Sequence, residues 1–159
     1  MASSRSGGAE QRLRDLGIEL PAPPQPFGAY VESVQSGRLL FLSGMLPVVD
    51  HKPKYIGRLG QELDIESGRD ALRTASMSAL AAARAHLGTL DRVTRVVRLG
   101  IYLATSGPFV DHPKVADAAS ELFESIFGKE KTSVRMVLGV ASLPLGMPVE
   151  LEVILEVAE

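Results

Sequence analysis

The chain of 159 residues is 45% hydrophobic and 23% charged, the balance of one folded domain and not of a disordered polypeptide. Seventeen Lys and Arg against nineteen Asp and Glu leave a formal net charge of -2, which argues against a protein that coats nucleic acid. There is no cysteine, so disulfides, thiolate nucleophiles and Cys-ligated metals are excluded, and the scattered His51, His86 and His112 lack the i,i+4 spacing of a metal site.

Residues 1–12, MASSRSGGAEQR, predict a flexible polar tail before a single domain over 13–159. The tail has no apolar core for a signal peptide, and no apolar stretch reaches the roughly 20 residues of a spanning helix, so a cytoplasmic protein away from membranes is the expectation. Residues 13–20 predict a short helical turn, and PAPPQP at 21–26 forces an extended path. Alternation over Tyr30–Val34, the turn signal Ser36-Gly37 and the apolar run Arg38–Ser43 predict a strand pair, its second member covered on both faces. Gly44 punctuates that run and Pro47 bars a regular continuation. Residues 50–66 are polar, glycine-bearing and weakly periodic, which predicts a long surface loop.

From Ser67 the period changes. Leu72, Ala75, Ala79, Leu80, Ala83 and Leu87 recur at three- and four-residue steps, predicting a helix that Gly88 stops and that the segment from Asp64 to Ser67 caps. Its buried face is mostly alanine, so it can lie close against a sheet. Arg92–Leu103 predicts a long strand with Val93, Val97, Leu99, Ile101 and Leu103 on one face and Val96, Arg98 and Tyr102 on the other. Val115, Ala119, Leu122, Phe123 and Ile126 mark a second helix ended by Gly128. Two strands close the chain. Ser133–Val140 sets Val134, Met136, Leu138 and Val140 against Arg135, Val137 and Gly139; Val149–Val157 sets its apolar odd positions against Glu150, Glu152, Ile154 and Glu156. The order β-β-loop-α-β-α-β-β describes a two-layer α+β domain, a mixed sheet with two helices on one face. Val96, Tyr102 and Val137, beside charged residues on the other face, suit a surface used for self-association.

No nucleophile elbow, phosphate-binding loop, dinucleotide fingerprint or HExxH helix is present. What stands out is Arg135 in an apolar strand. Its guanidinium either finds an internal anion, for instance Glu150, or serves as a fork for a substrate carboxylate. Glu150, Glu152 and Glu156 share one strand face, either simply solvated or with one of them handling a water. Ser43-Gly44 is either a plain strand end or a point where a ligand approaches backbone N–H groups. Tyr30 is a packing residue on pattern alone.

Together these positions carry a resemblance. Ala29-Tyr30-Val31 followed by Leu40-Phe41-Leu42-Ser43-Gly44-Met45-Leu46-Pro47 resembles the opening of the RidA (YjgF, L-PSP endoribonuclease) family. Leu90-Asp91-Arg92-Val93 before a strand, Val134-Arg135-Met136-Val137, Leu143-Pro144 and Pro148-Val149-Glu150-Leu151-Glu152 resemble its later motifs, in order and at matching spacing over residues 26–157. The resemblance implies a chorismate-mutase-like fold, a homotrimer with clefts between subunits, and hydrolysis of reactive 2-imino acids or their enamines to 2-oxo acids and ammonia, without metal or cofactor. It implies that Arg135 grips the substrate carboxylate, Glu150 places the attacking water, Gly44 and Ser43 offer backbone contact, and Tyr30 walls the cleft. The chain departs from the family at Met45, where the family has Gln, at Ser120, which matches its Asn with Asp117 as a competing match, and in a longer 50–66 loop. A non-catalytic trimer binding a small carboxylate is the second class, and a ribonuclease the third, disfavoured by the net charge and the missing His pair.

Overall fold

The strictly alternating C-terminal segment forms the middle of the sheet. In the computed structural model, which describes residues 7–159, the elements are α1 (Ala9–Asp15), β1 (Ser33–Ser36), β2 (Leu39–Leu42), β3 (Val48–Val49), β4 (Lys52–Pro53), α2 (Ile65–Leu87), β5 (Val93–Ala104), α3 (His112–Phe127), β6 (Val134–Val140) and β7 (Val149–Val157). The sheet runs β1-β2-β7-β5-β6, antiparallel throughout except for the parallel pair β5–β6. Strand β7 buries Val149, Leu151, Val153, Leu155 and Val157 under the helices, and Glu150, Glu152, Ile154 and Glu156 take the open face.

The two long helices cover one face of the sheet. Helix α2 starts where Asp64 accepts a hydrogen bond from the Ser67 N–H at 2.8 Å. It ends at Gly88, whose positive φ of 83° suits the turn out of the helix. Ala71, Ala75, Ala79 and Ala83 are buried along it, and α3 packs beside it through Val115, Ala119, Leu122, Phe123 and Ile126.

Several expectations are corrected. Helix α1 begins at Ala9, inside the segment expected to be a tail, because Ala9 and Leu13 pack into the core and Glu10 accepts from Arg84 at 3.1 Å and from the Leu90 N–H at 3.0 Å. Residues 1–6 of that tail lie outside the described residues. Tyr30 precedes the first strand, which starts at Ser33. Strand β2 buries only Leu40 and Leu42; Leu39 and Phe41 stand on the open face. Two register shifts in β5, between Val93 and Arg95 and between Val96 and Arg98, turn Val96 into the core and leave Val97 half-buried. On β6 the faces are inverted. Arg135, Val137 and Gly139 lie beside the buried Leu99, Ile101 and Leu103 on the helix side, whereas Val134, Met136 and Leu138 are exposed on the open side. The 50–66 segment is also more ordered than a loop. It opens as the β3–β4 hairpin over Asp50 and His51, both at positive φ, and buried Leu59 bonds Ala104 and Ser106 through its backbone.

Candidate active site

The backbone of Met45 pairs with Leu151 in both directions, N–H to O at 2.7 and 2.9 Å. That pairing lays the strand-end Gly44 against Glu150. A Cβ on Gly44 would stand 3.0 Å from the Glu150 Cδ and 3.2 Å from Oε1, so the glycine is needed for close approach. The Glu150 carboxyl is half-buried and pairs with no base among the described residues. Burial, and then the negative charge of Glu152, hold its pKa above the ordinary carboxylate value. Glu152 itself is engaged by Arg98 at 3.2 Å.

The approach to Gly44 is built from the arm before β1. The Ser43 hydroxyl donates to Val31 O at 2.6 Å and its N–H to Glu32 O at 2.9 Å, fastening the arm to the end of β2. Tyr30 is 44% exposed, and its hydroxyl accepts from the Phe27 N–H. Phe27, Tyr30, Glu32, Gly44 and Met45 line one small cavity. Met45 contributes only apolar wall to it, since its side chain is 2% exposed and packed in the core. Glu32 is an acidic group the sequence pattern did not single out; burial raises its pKa as well.

Arg135 is elsewhere. Its Nη1 donates to Asp117 Oδ1 at 2.8 Å and to Ser120 Oγ at 3.1 Å, both on α3. The internal anion is therefore Asp117 and not Glu150. Register explains why. Arg135 lies opposite Leu99 and Glu150 opposite Tyr102, with β5 between their strands, and the two side chains leave opposite faces of the sheet. Three residues along a strand and two strand spacings across give a Cα separation of roughly 14 Å. One chain thus gathers Tyr30, Ser43, Gly44, Met45 and Glu150 at one place and Arg135 with Ser120 at another.

A cavity of about 530 Å³ lies between Pro21–Gln25, the β3–β4 tip and Met77 and Ser78 of α2. None of the residues carried over from the family motifs lines it, and it offers no Lys or Arg to hold a carboxylate. No group of His, Asp and Glu able to hold a metal occurs among the described residues, and no helix there is long and apolar enough to cross a membrane.

A mixed sheet with its helices on one face, closed by a strand whose carboxyl abuts a glycine, defines a chorismate-mutase-like α+β protein. The chain belongs to the YjgF/chorismate-mutase-like endoribonuclease family, whose profile matches residues 10–156. It is 39% identical over 157 residues to protein TCP17 of Trypanosoma cruzi, covering 98% of both chains. It is 30% identical over 137 residues to a 2-iminobutanoate/2-iminopropanoate deaminase of Dermatophagoides farinae, covering 85% of this chain and 91% of that one. The crystal structure of an endoribonuclease-family protein from Shewanella oneidensis MR-1 superposes with a TM-score of 0.90 at 30% identity, over 95% of this chain and 100% of the other.

Proposed function

We propose that the protein hydrolyses reactive 2-imino acids, or their enamine tautomers, to 2-oxo acids and ammonia, acting in the cytoplasm as a homotrimer with its sites between subunits. The observation that carries this reading is the Glu150 carboxyl, half-buried against Gly44 without a cationic partner among the described residues and with its pKa held up. A carboxylate of raised pKa is a better base at neutral pH than a solvated one. Glu150 takes a proton from water as the water oxygen attacks the electrophilic imine carbon. The protonated Glu150 then gives its proton to the carbinolamine nitrogen, ammonia leaves with the electrons of the C–N bond, and the hydroxyl proton passes to the Glu150 carboxylate as the oxygen lone pair closes the carbonyl; that proton goes on to the released ammonia. With an enamine, a proton from solvent adds at the β-carbon first and generates the iminium, the same protonated imine that the water attacks. Much of the rate comes from holding water and carbon together, because the imine carbon is already electron-poor.

Arg135 supplies the carboxylate grip, and it does so across a subunit boundary. Separated by roughly 14 Å on opposite faces, Arg135 and Glu150 of one chain do not reach one small substrate. The open face supports association. It exposes Val34, Leu39 and Phe41 toward one edge and Val134, Met136 and Leu138 at the other, with the Arg98–Glu152 pair between the two apolar patches. The deaminase activity of the D. farinae relative supports the same chemistry. A non-catalytic carboxylate-binding trimer is the second reading, which needs only the open edge of Arg135 and no water-handling group. Turnover separates them. 2-Aminoacrylate generated in situ yields pyruvate faster with the protein than without it, and Arg135→Ala removes the difference. No acceleration with several imino acids would leave binding alone.

A further inference from the structure

We propose that Asp117 sets the substrate specificity of the Arg135 site, restricting it to acids with a single carboxylate. This rests on the reading that Arg135 receives the substrate carboxylate, and it adds a residue that the motifs do not assign.

A guanidinium presents two edges to a carboxylate: Nη1 with Nη2, and Nε with Nη2. In Arg135 both hydrogens of Nη1 are taken, one by Asp117 Oδ1 at 2.8 Å and one by Ser120 Oγ at 3.1 Å. The first edge is closed. No acceptor among the described residues meets Nε or Nη2, so the second edge remains open. One carboxylate fits there, side-on, with the guanidinium plane fixed from behind by α3.

Charge sharpens the selection. The pair is half-open to solvent, with the Arg135 side chain 26% and the Asp117 side chain 51% exposed, and it carries no net charge. The depression beside Ser120 adds Glu124 and Lys131, which offset one another. An incoming monocarboxylate on the far edge stands roughly 7–8 Å from the Asp117 carboxylate. At that distance, in a partly solvated site, the repulsion weakens binding about tenfold. A second carboxylate on the ligand meets the same repulsion, and the nearby Lys131 is already offset by Glu124. Asp117 therefore acts as a positioning residue through its hydrogen bond and as a selector through its charge.

The two contributions separate on substitution. Calorimetric titration of the assembled protein with pyruvate and with 2-oxoglutarate, stable 2-oxo acids with one and two carboxylates, reads both. Wild type binds pyruvate more tightly than 2-oxoglutarate. Asp117→Asn keeps an acceptor for Nη1 and removes the charge, so pyruvate tightens about tenfold and 2-oxoglutarate by more, narrowing the preference. Asp117→Ala loses the tether as well and gains less than the Asn variant. Unchanged affinities in Asp117→Asn, or a wild-type preference for the dicarboxylate, overturn the role of Asp117. Binding of neither acid by wild type, or undiminished binding by Arg135→Ala, overturns the carboxylate role of Arg135 and that of Asp117 with it.

Discussion

A single methyl group at Gly44 tests the catalytic geometry. On the existing backbone, the methyl carbon that Gly44→Ala introduces lies 3.0 Å from the Glu150 Cδ, 3.2 Å from Oε1 and 3.3 Å from Cγ, where ordinary contact begins near 3.4 Å. Gly44 is not among the positive-φ glycines, so alanine fits its backbone without strain. The main chain of β7 is pinned by the Met45–Leu151 pairing, which leaves the Glu150 side chain to give way by several tenths of an ångström. A displacement approaching 1 Å at a reacting group costs about a hundredfold in rate, so kcat/KM falls between about tenfold and a hundredfold. Stability changes by less than about 1 kcal/mol, because the clash falls on a flexible chain end and alanine lowers the entropy of the unfolded chain. The assay is pyruvate formation from 2-aminoacrylate generated in situ, with a thermal melt of the same preparation. Wild-type turnover from a folded Gly44→Ala protein would refute the placement of Glu150 as the water-handling group.

The raised Glu150 pKa means that the folded state holds this proton more tightly than the unfolded chain, so ionising Glu150 costs stability as pH rises from the ordinary value of 4.5 through the folded one. Glu150→Gln therefore raises Tm at pH 7 and leaves it unchanged well below pH 4.5, while abolishing turnover; a lower Tm at pH 7 contradicts this. Gly68→Ala gains about 1 kcal/mol of helix propensity but sets a Cβ 2.8 Å from Leu59 Cδ2 and 3.2 Å from Val115 Cγ1, both fully buried, so denaturant titration shows a net loss of about 1–2 kcal/mol. Phe41→Glu places a charge on the open face, where Phe41 is 40% exposed. Light scattering then reports a monomer and turnover is lost, while the fold changes by no more than about 0.5 kcal/mol.

The legible parts of the sequence were those where one periodicity met one environment. Strand β7 alternates with period two because one of its faces meets helices and the other does not, and every odd residue from Val149 to Val157 is buried accordingly. Helix α2 announced its cap, its alanine face and its glycine stop within one continuous segment. Strand β6 misled because apolar residues occupy both of its faces. Pattern alone assigns Val134, Met136 and Leu138 to the core, but the helices lie on the side of Arg135 and Val137. In β5 the bulges shift the alternation, and nothing local in Thr94-Arg95-Val96-Val97 marks where. Helix α1 has only Ala9 and Leu13 to bury, too few positions to show a period.

At the candidate site, the motifs named the residues but not their grouping. The contact of Gly44 with Glu150 depends on the bridge between Met45 and Leu151, 106 positions apart, and the Asp117–Arg135 pair on how α3 lies over the edge strand. Asp117 could be noted as an alternative match for a family position; its bond to Arg135 could not, since it follows from packing and not from spacing.

Complementation tests most directly whether Arg135 and Glu150 meet only across two copies of the chain. Arg135→Ala and Glu150→Gln proteins, each inactive, are unfolded together in equal amounts, refolded into mixed assemblies and assayed on 2-aminoacrylate. If each site draws Glu150 from one copy and Arg135 from its neighbour, half of the copies supply an intact glutamate and half an intact arginine. About one quarter of the sites are then whole, and about one quarter of wild-type turnover returns. Mixed assemblies no more active than either parent would contradict a shared site.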